Sequence, residues 1–266
     1  MIMLDDLKPI IYNEGDSDIV IYPLFDLHVG SQQFNERDFI AWRDMIEQND
    51  NARVVIGGDL MDNGLKNSVT NVYEQTMRPR DQKRYIAELL APIKDKILCG
   101  TSGNHEKRSV KDSDDDPLYD VFCKMDIENR FRENACFLII RFGGTERRNT
   151  TSKRRPSYNL MITHGAGGGM YIGSGANKGE RFGMAIDGLD ALITGHTHKP
   201  VTFPVGKLVI DPQNKRISQK QFTCLTASSW LDYGGYPVRK MLMPTARVPQ
   251  KMILSAHGKN ITIVQG

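Results

Sequence analysis

Short apolar blocks and polar breaks alternate along the chain, and their spacing switches repeatedly between strand-like and helical. Residues 8–13 and 18–25 read as strands joined by an Asn-Glu-Gly-Asp turn. Asn35 is placed to cap a helix over about 36–48, with Phe39, Trp42 and Ile46 on one face. Val54-Val55-Ile56 is a β-branched run that reads as a fully buried strand, and it stops at Gly57-Gly58-Asp59. A helix over roughly 80–94 follows, carrying Tyr85, Leu89 and Ile93 at helical spacing. Ile97-Leu98-Cys99 is a further short strand, and Pro117 opens a short helix. Residues 136–142 and 157–163 form a strand pair across a polar, basic segment. A strand from Leu189 to Thr194 comes next. Hairpins are expected over 201–210/216–226 and over 250–256/260–265. Strands that alternate with helices and end in hairpins predict an α/β protein with mixed sheets stacked between helices.

The composition adds little to that picture. With 266 residues, 39% hydrophobic and 25% charged, the chain suits one sizeable soluble domain, expected here over 1–266 with a motif core at 18–200 and the hairpins of 201–266 completing the second sheet. A net charge of +3 does not repel an anionic substrate, and it is too small to mark a nucleic-acid binder. No apolar run approaches the ~20 residues needed to cross a bilayer, and the acidic start Asp5-Asp6 is not that of a secretion leader. Cys99, Cys123, Cys136 and Cys224 are scattered without pairing, which favours a reducing, cytoplasmic setting.

The candidate chemistry stands at the strand ends. Five strand-like runs each finish in side chains suited to a metal: Asp26 with His28, Asp59 with Asp62, Asn104 with His105, His164 alone, and His196 with His198. Five of the six histidines fall in these places, and only His257 lies elsewhere. Any one of them reads equally as an ordinary surface or core residue; the ordered set does not. The mixture of oxygen and imidazole suits manganese, iron or zinc, with nickel also admissible, better than magnesium or calcium. The missing thiolates argue against a structural zinc site. One pair, such as Asp26/His28 or His196/His198, can serve two adjacent cations. A carboxylate such as Asp59 can bridge ions ~3.5–4 Å apart.

In this order the motifs D-x-H, G-D-x-x-D, G-N-H-E, H-G and G-H-x-H resemble the calcineurin-like metallophosphoesterases. The resemblance implies a four-layer αββα sandwich of two mixed sheets flanked by helices. It implies two divalent metal ions, with Asp26, His28 and His198 holding one, Asn104, His164 and His196 the other, and Asp59 bridging them. It makes His105 the general acid and Asp62 the residue that orients it. The expected reaction is hydrolysis of a phosphoester by in-line attack of a hydroxide bridging the metals, with the metals also neutralising charge on the phosphoryl oxygens.

The substrate is less sharply marked. The phosphoprotein phosphatases of that family carry arginines where this chain has Asn63 and Ser102, although Glu106 is shared with them. The expectation is therefore a phosphodiesterase of nucleotide or nucleic-acid type. A phosphomonoesterase and an inactive scaffold are the alternatives. Lys107 and Arg108, and Lys178 and Arg181 in the glycine-rich stretch 165–183, are candidate phosphate contacts. That stretch reads as a lid or as a plain surface loop. The basic clusters Arg78, Arg80, Lys83, Arg84 and Arg147, Arg148, Lys153, Arg154, Arg155 read equally as phosphate contacts or as solvated surface. Trp230, Tyr233 and Tyr236 suit base stacking, core packing or a contact in a homo-oligomer. No membrane partner is expected.

Overall fold

A computed structural model describes residues 5–66, 68, 72–143 and 155–266. In chain order the elements are β1 (Ile10–Glu14), β2 (Ile19–Leu24), α1 (Glu36–Glu47), β3 (Ala52–Ile56), α2 (Pro79–Leu90), β4 (Ile97–Thr101), α3 (Lys107–Ser113), α4 (Pro117–Lys124), β5 (Phe131–Arg132), β6 (Ala135–Phe142), β7 (Ser157–Thr163), α5 (Gly173–Met184), β8 (Ala191–Thr194), β9 (Val201–Asp211), β10 (Arg216–Thr226), α6 (Tyr236–Arg239), β11 (Gln250–Leu254) and β12 (Ile261–Gln265). They build two six-stranded mixed sheets, ordered β1-β6-β7-β8-β10-β9 and β12-β11-β2-β3-β4-β5.

Alternation along the central strands explains the layering. In β2, Ile19 and Ile21 face the other sheet, while Tyr22 and Leu24 face the helices. The inter-sheet core joins these to Val55, Leu98, Leu138, Ile140, Leu160, Ile162 and Leu225. Phe39, Trp42 and Ile46 of α1, with Ile86 and Leu89 of α2 and Val121 of α4, cover the outer face of the β2 sheet. Each such fully buried side chain is worth about 1.5–3 kcal/mol against exposure. On the opposite outer face α5 packs against β8, β9 and β10. The result is an αββα sandwich. Among the described residues no helix is long and apolar enough to cross a membrane.

Local signals account for the helix starts. The Asn35 side chain accepts the Asp38 N–H at 3.0 Å, and Asp116 caps α4 ahead of Pro117. α2 stops short of the expected 94 because Pro92 tightens the chain into a 3-10 turn over Ala91–Lys96.

Three expectations are corrected. β1 and β2 do not pair. β1 lies beside β6 in one sheet and β2 beside β3 in the other, so the turn between them carries the chain from sheet to sheet. The late hairpins do not both complete one sheet. β9–β10 joins β8, and β11–β12 joins β2 in the opposite sheet. The stretch 165–183 is loop only in its first part, because α5 begins at Gly173. A Cβ at Gly183 would lie 2.3 Å from the Phe222 ring, which shows how closely that helix sits on the sheet.

Candidate metal centre

β2, β3 and β4 run parallel, as do β7 and β8. The ends of all five meet on one side, where α/β sheets gather their chemistry. The turn after β3 is tight. Gly58 has φ +90°, and a Cβ there would lie 2.1 Å from the Gly103 nitrogen, so only glycine fits. Five of the expected ligand residues adopt left-handed backbone without being glycine: Asp26, His28, Asp59, His196 and His198, at φ between 51° and 68°. Such conformations are sparsely populated and collect at functional sites.

The side chains meet as three overlapping groups of potential ligands: Asp26, His28 and His198; Asp59, His164 and His196; and His28, Asp59 and His105. In the first, His198 Nε2 lies 3.4 Å from Asp26 Oδ1 and 3.2 Å from His28 Nε2. In the second, His164 Nε2 lies 3.2 Å from Asp59 Oδ2 and 2.9 Å from Asn104 Oδ1, and His196 Nδ1 lies 2.7 Å from that same amide oxygen. The third was not foreseen: His105 Nε2 stands 3.8 Å from Asp59 Oδ2 and His28 Nε2 stands 4.0 Å from it.

The hydrogen bonds around these groups test whether a cation fits. His164 Nδ1–H donates to the Gly57 carbonyl at 2.9 Å, and His196 Nε2–H donates to the Gly167 carbonyl at 2.8 Å. Each ring thereby turns its other nitrogen toward Asn104 and Asp59, as metal-binding imidazoles do. Asp59 Oδ2 and the Asn104 amide oxygen thus face imidazole nitrogens. Among the described residues Asp26 Oδ1 is buried without a hydrogen-bond partner. Asp26 spends its other oxygen on the His196 N–H at 2.8 Å. Orphaned buried acceptors facing imidazole nitrogens are what a divalent ion would satisfy.

The electrostatics agree. Burial opposes ionisation of Asp59, but the imidazoles of His164 and His105 outweigh it and hold the carboxyl well below its usual range. Asp26 is likewise lowered against its own burial, chiefly by His198. Burial would depress His164, but Asp59 overrides it and pushes the pKa up to about 9. Burial and then the charge of His105 lower His28, and burial and then His164 lower His196.

Asp62 and His105 stand together at the rim. His105 Nδ1–H donates to the Asp62 backbone carbonyl at 2.7 Å, and Asp62 Oδ1 is 3.3 Å from the same nitrogen. Arg108 Nη2 lies 3.0 Å from His105 Nε2, and its Nη1 donates to the Asp62 carbonyl at 2.9 Å. Arg108 thus lines the cavity over the cluster, which measures about 440 Å³. The other expected phosphate contacts do not line it. Lys107 donates to the Asn134 side chain at 2.6 Å. Lys178 and Arg181 ride on α5, and Lys178 borders a separate cavity of about 220 Å³. Of the basic clusters, Lys83 pairs with Asp120, Arg84 with Asp81 and Glu88, and Arg155 with Asp16. Arg147, Arg148, Lys153 and Arg154 lie outside the described residues. Trp230 packs against Phe39 and Trp42 in the core, while Tyr236 lines the cavity.

Glu106 was noted in the sequence without a role. It is fully buried, and its carboxylate accepts four backbone N–H groups, from Asp59, Leu60, Met61 and Gly103. Burial and the Asp59 charge raise its pKa to about 7, while the hydrogen bonds pull the other way. Its place three residues after Gly103 was the only available hint. Gln75, which donates to Asp62 Oδ2, and the ion pair of Arg239 with Glu74 at the cavity wall carried no such hint.

A family model described as calcineurin-like phosphoesterase matches residues 26–200, a stretch that spans all five clusters. No curated protein matches the chain.

Proposed function

The chain belongs to the calcineurin-like phosphoesterase family, and from that premise we propose that it is a two-metal phosphodiesterase acting on nucleotide or nucleic-acid substrates. The observation that carries this reading is the convergence on Asp59 of imidazoles whose donor sites are already spent on carbonyls, beside the orphaned Asp26 Oδ1.

In this reading Asp26, His28 and His198 would hold one cation and Asn104, His164 and His196 a second, with Asp59 available to both. The oxygen and imidazole donors favour manganese, with iron, zinc or nickel as substitutes. Bound divalent ions would supply an acidified water as nucleophile and neutralise charge on the phosphoryl oxygens. His105 carries the proton that the leaving oxygen takes. Its Nδ1–H is held by the Asp62 carbonyl, so Nε2 is the nitrogen that faces the cavity. The nearby carboxylates Asp59 and Asp62 more than offset burial and raise its pKa, which keeps that proton available. Arg108, 3.0 Å from His105 Nε2 and on the wall of the same cavity, is placed to meet a phosphate oxygen.

Two positions favour a diester over a phosphoprotein. Asn63 turns inward, donating to the His105 carbonyl at 2.7 Å and to Ser109 at 3.0 Å. Ser102 donates to the Asp116 carboxylate at 2.7 Å. Neither can serve as the phosphate-binding arginine of the phosphoprotein branch. The thiols of Cys99, Cys123, Cys136 and Cys224 are free, in keeping with a reducing cytoplasm.

The test is metal analysis of the purified protein together with hydrolysis of bis(p-nitrophenyl) phosphate and p-nitrophenyl phosphate with added Mn²⁺. Bound transition metal and faster turnover of the diester are expected. Turnover of the monoester alone would replace this reading with a phosphomonoesterase. Absence of both metal and turnover would leave a binding scaffold.

A further inference from the structure

The cavity over the metal centre forks. One arm, of about 440 Å³, is bordered by His28, Asp62, Gln75, His105, Arg108 and Arg239. A second arm, of about 450 Å³, runs past Met170, Lys199, Tyr233, Leu242, Met243 and Thr245. The arms share Gln33, Gly167, His196, His198 and Tyr236, so they meet at the cluster and diverge from it. His105 and Arg108 border the first arm and not the second.

Resting on the phosphodiester reading above, we infer that the second arm is the subsite for the ester group that stays on phosphorus, and that it takes a nucleoside. A phosphomonoester carries one organic substituent and a diester two, and two arms leave this centre. His105 fixes which is which. In hydrolysis the water oxygen forms the new bond to phosphorus, and the bond to the leaving oxygen breaks. The electron pair departs with that oxygen, which takes the proton of His105. The leaving group therefore occupies the first arm, and the retained group occupies the second.

The lining points to the occupant. The thioethers of Met170 and Met243 and the ring of Tyr236 give flat, polarisable walls for a base. Thr197, Ser229 and Thr245 add hydroxyls that a sugar or a base edge can pair, whereas an alkyl chain would strip them of water for nothing in return. Lys199 Nζ is fixed by the carbonyls of Gly169, at 3.3 Å, and Met170, which ties one wall to the other rim of the arm. The volume falls in the usual range for sites of small organic ligands. Residues 231–245 lie beyond the stretch matched by the family model.

The test uses three probes with one leaving group: p-nitrophenyl phosphate, methyl p-nitrophenyl phosphate and thymidine 5′-(p-nitrophenyl phosphate). The expected result is a kcat/KM at least about tenfold higher for the thymidine diester than for the methyl diester. Thr245→Trp, which fills the second arm, should cut that ratio to about two or less. Met243→Ala, read in the same ratio, serves if Thr245→Trp does not fold. Thymidine 5′-monophosphate, the product left in the second arm, should bind less tightly to Thr245→Trp by calorimetry, in chelator as well as in metal. Equal turnover of the two diesters, or a ratio and product affinity that survive Thr245→Trp, would overturn the subsite and leave the diester reading standing. Turnover of p-nitrophenyl phosphate alone would overturn the diester reading itself.

Discussion

Glu106 Oε2 accepts the backbone N–H of Asp59 at 2.8 Å, which joins the end of β4 to the end of β3 beneath the metal centre. Because the same carboxylate also holds Leu60, Met61 and Gly103, it fixes the curve of backbone that presents Asp59. Glu106→Gln puts an amide donor where two oxygens now accept, and leaves buried N–H groups unpaired. The expected loss is about 1–3 kcal/mol in urea unfolding. Metal affinity measured by calorimetry should fall about 10–100-fold, as when a residue supporting a ligand is removed. Unaltered unfolding would show that the backbone holds this shape unaided.

Asp59, like His28, belongs to two of the three ligand groups. Asp59→Asn should therefore lower bound metal below the wild-type stoichiometry more than His198→Gln does, since His198 belongs to one group alone. Elemental analysis after dialysis reads this directly. Equal stoichiometries in the two variants would contradict a shared position for Asp59.

His105→Ala should keep the metals while kcat falls about 10²–10⁴-fold on substrates with poor leaving groups. p-Nitrophenyl esters, whose leaving group needs little protonation, should be slowed less. A uniform loss across leaving groups would assign His105 to the metals, as its place in the third ligand group allows.

His164 gives the metal-free protein a pH signature. Its pKa is raised from the ordinary 6.5 to about 9 by Asp59, against the pull of burial. A raised folded-state value stabilises fully below pH 6.5, and the contribution is lost as pH climbs through about 9. In chelator, the stability gap between wild type and His164→Gln should therefore narrow over that window. Loading a cation must displace the same proton, so apparent metal affinity should rise up to about tenfold per pH unit until near pH 9. Affinity flat from pH 6.5 to 9 would rule out a protonated His164.

Trp230→Ala tests packing against stacking. The indole lies edge-on to Phe39 at 5.4 Å between centroids and to Trp42 at 5.1 Å. Removing it should cost about 3–5 kcal/mol in stability. KM for nucleotide diesters should scarcely move at temperatures where the variant is folded. A large KM effect with intact stability would return Trp230 to the substrate.

The chemistry was legible because it is contiguous with the strands. Asp26, Asp59, Asn104, His164 and His196 each follow an apolar run within a few residues, and parallel strands deliver such residues to one edge. The caps Asn35 and Asp116 and the face of α1 were legible for the same local reason. Pairing across the molecule was not. A four-residue turn reads alike whether β1 and β2 pair or part, and hairpin periodicity does not say which sheet a hairpin joins. α5 was hidden because glycine weakens a helix by about 1 kcal/mol per residue, and only packing on Phe222 and its neighbours restores it. Arg108 could be flagged as a cation but not as the partner of the His105 ring, because that contact depends on where α3 starts.

β11 lies against β2, pairing Met252 with Ile21. The strand that leads into Asp26 and His28 takes its neighbour on that side from a segment made long after it. Until that segment is made, β2 keeps one edge bare while everything between is synthesised. Nascent chains stalled before residue 250 should bind metal poorly however well their other strands have assembled.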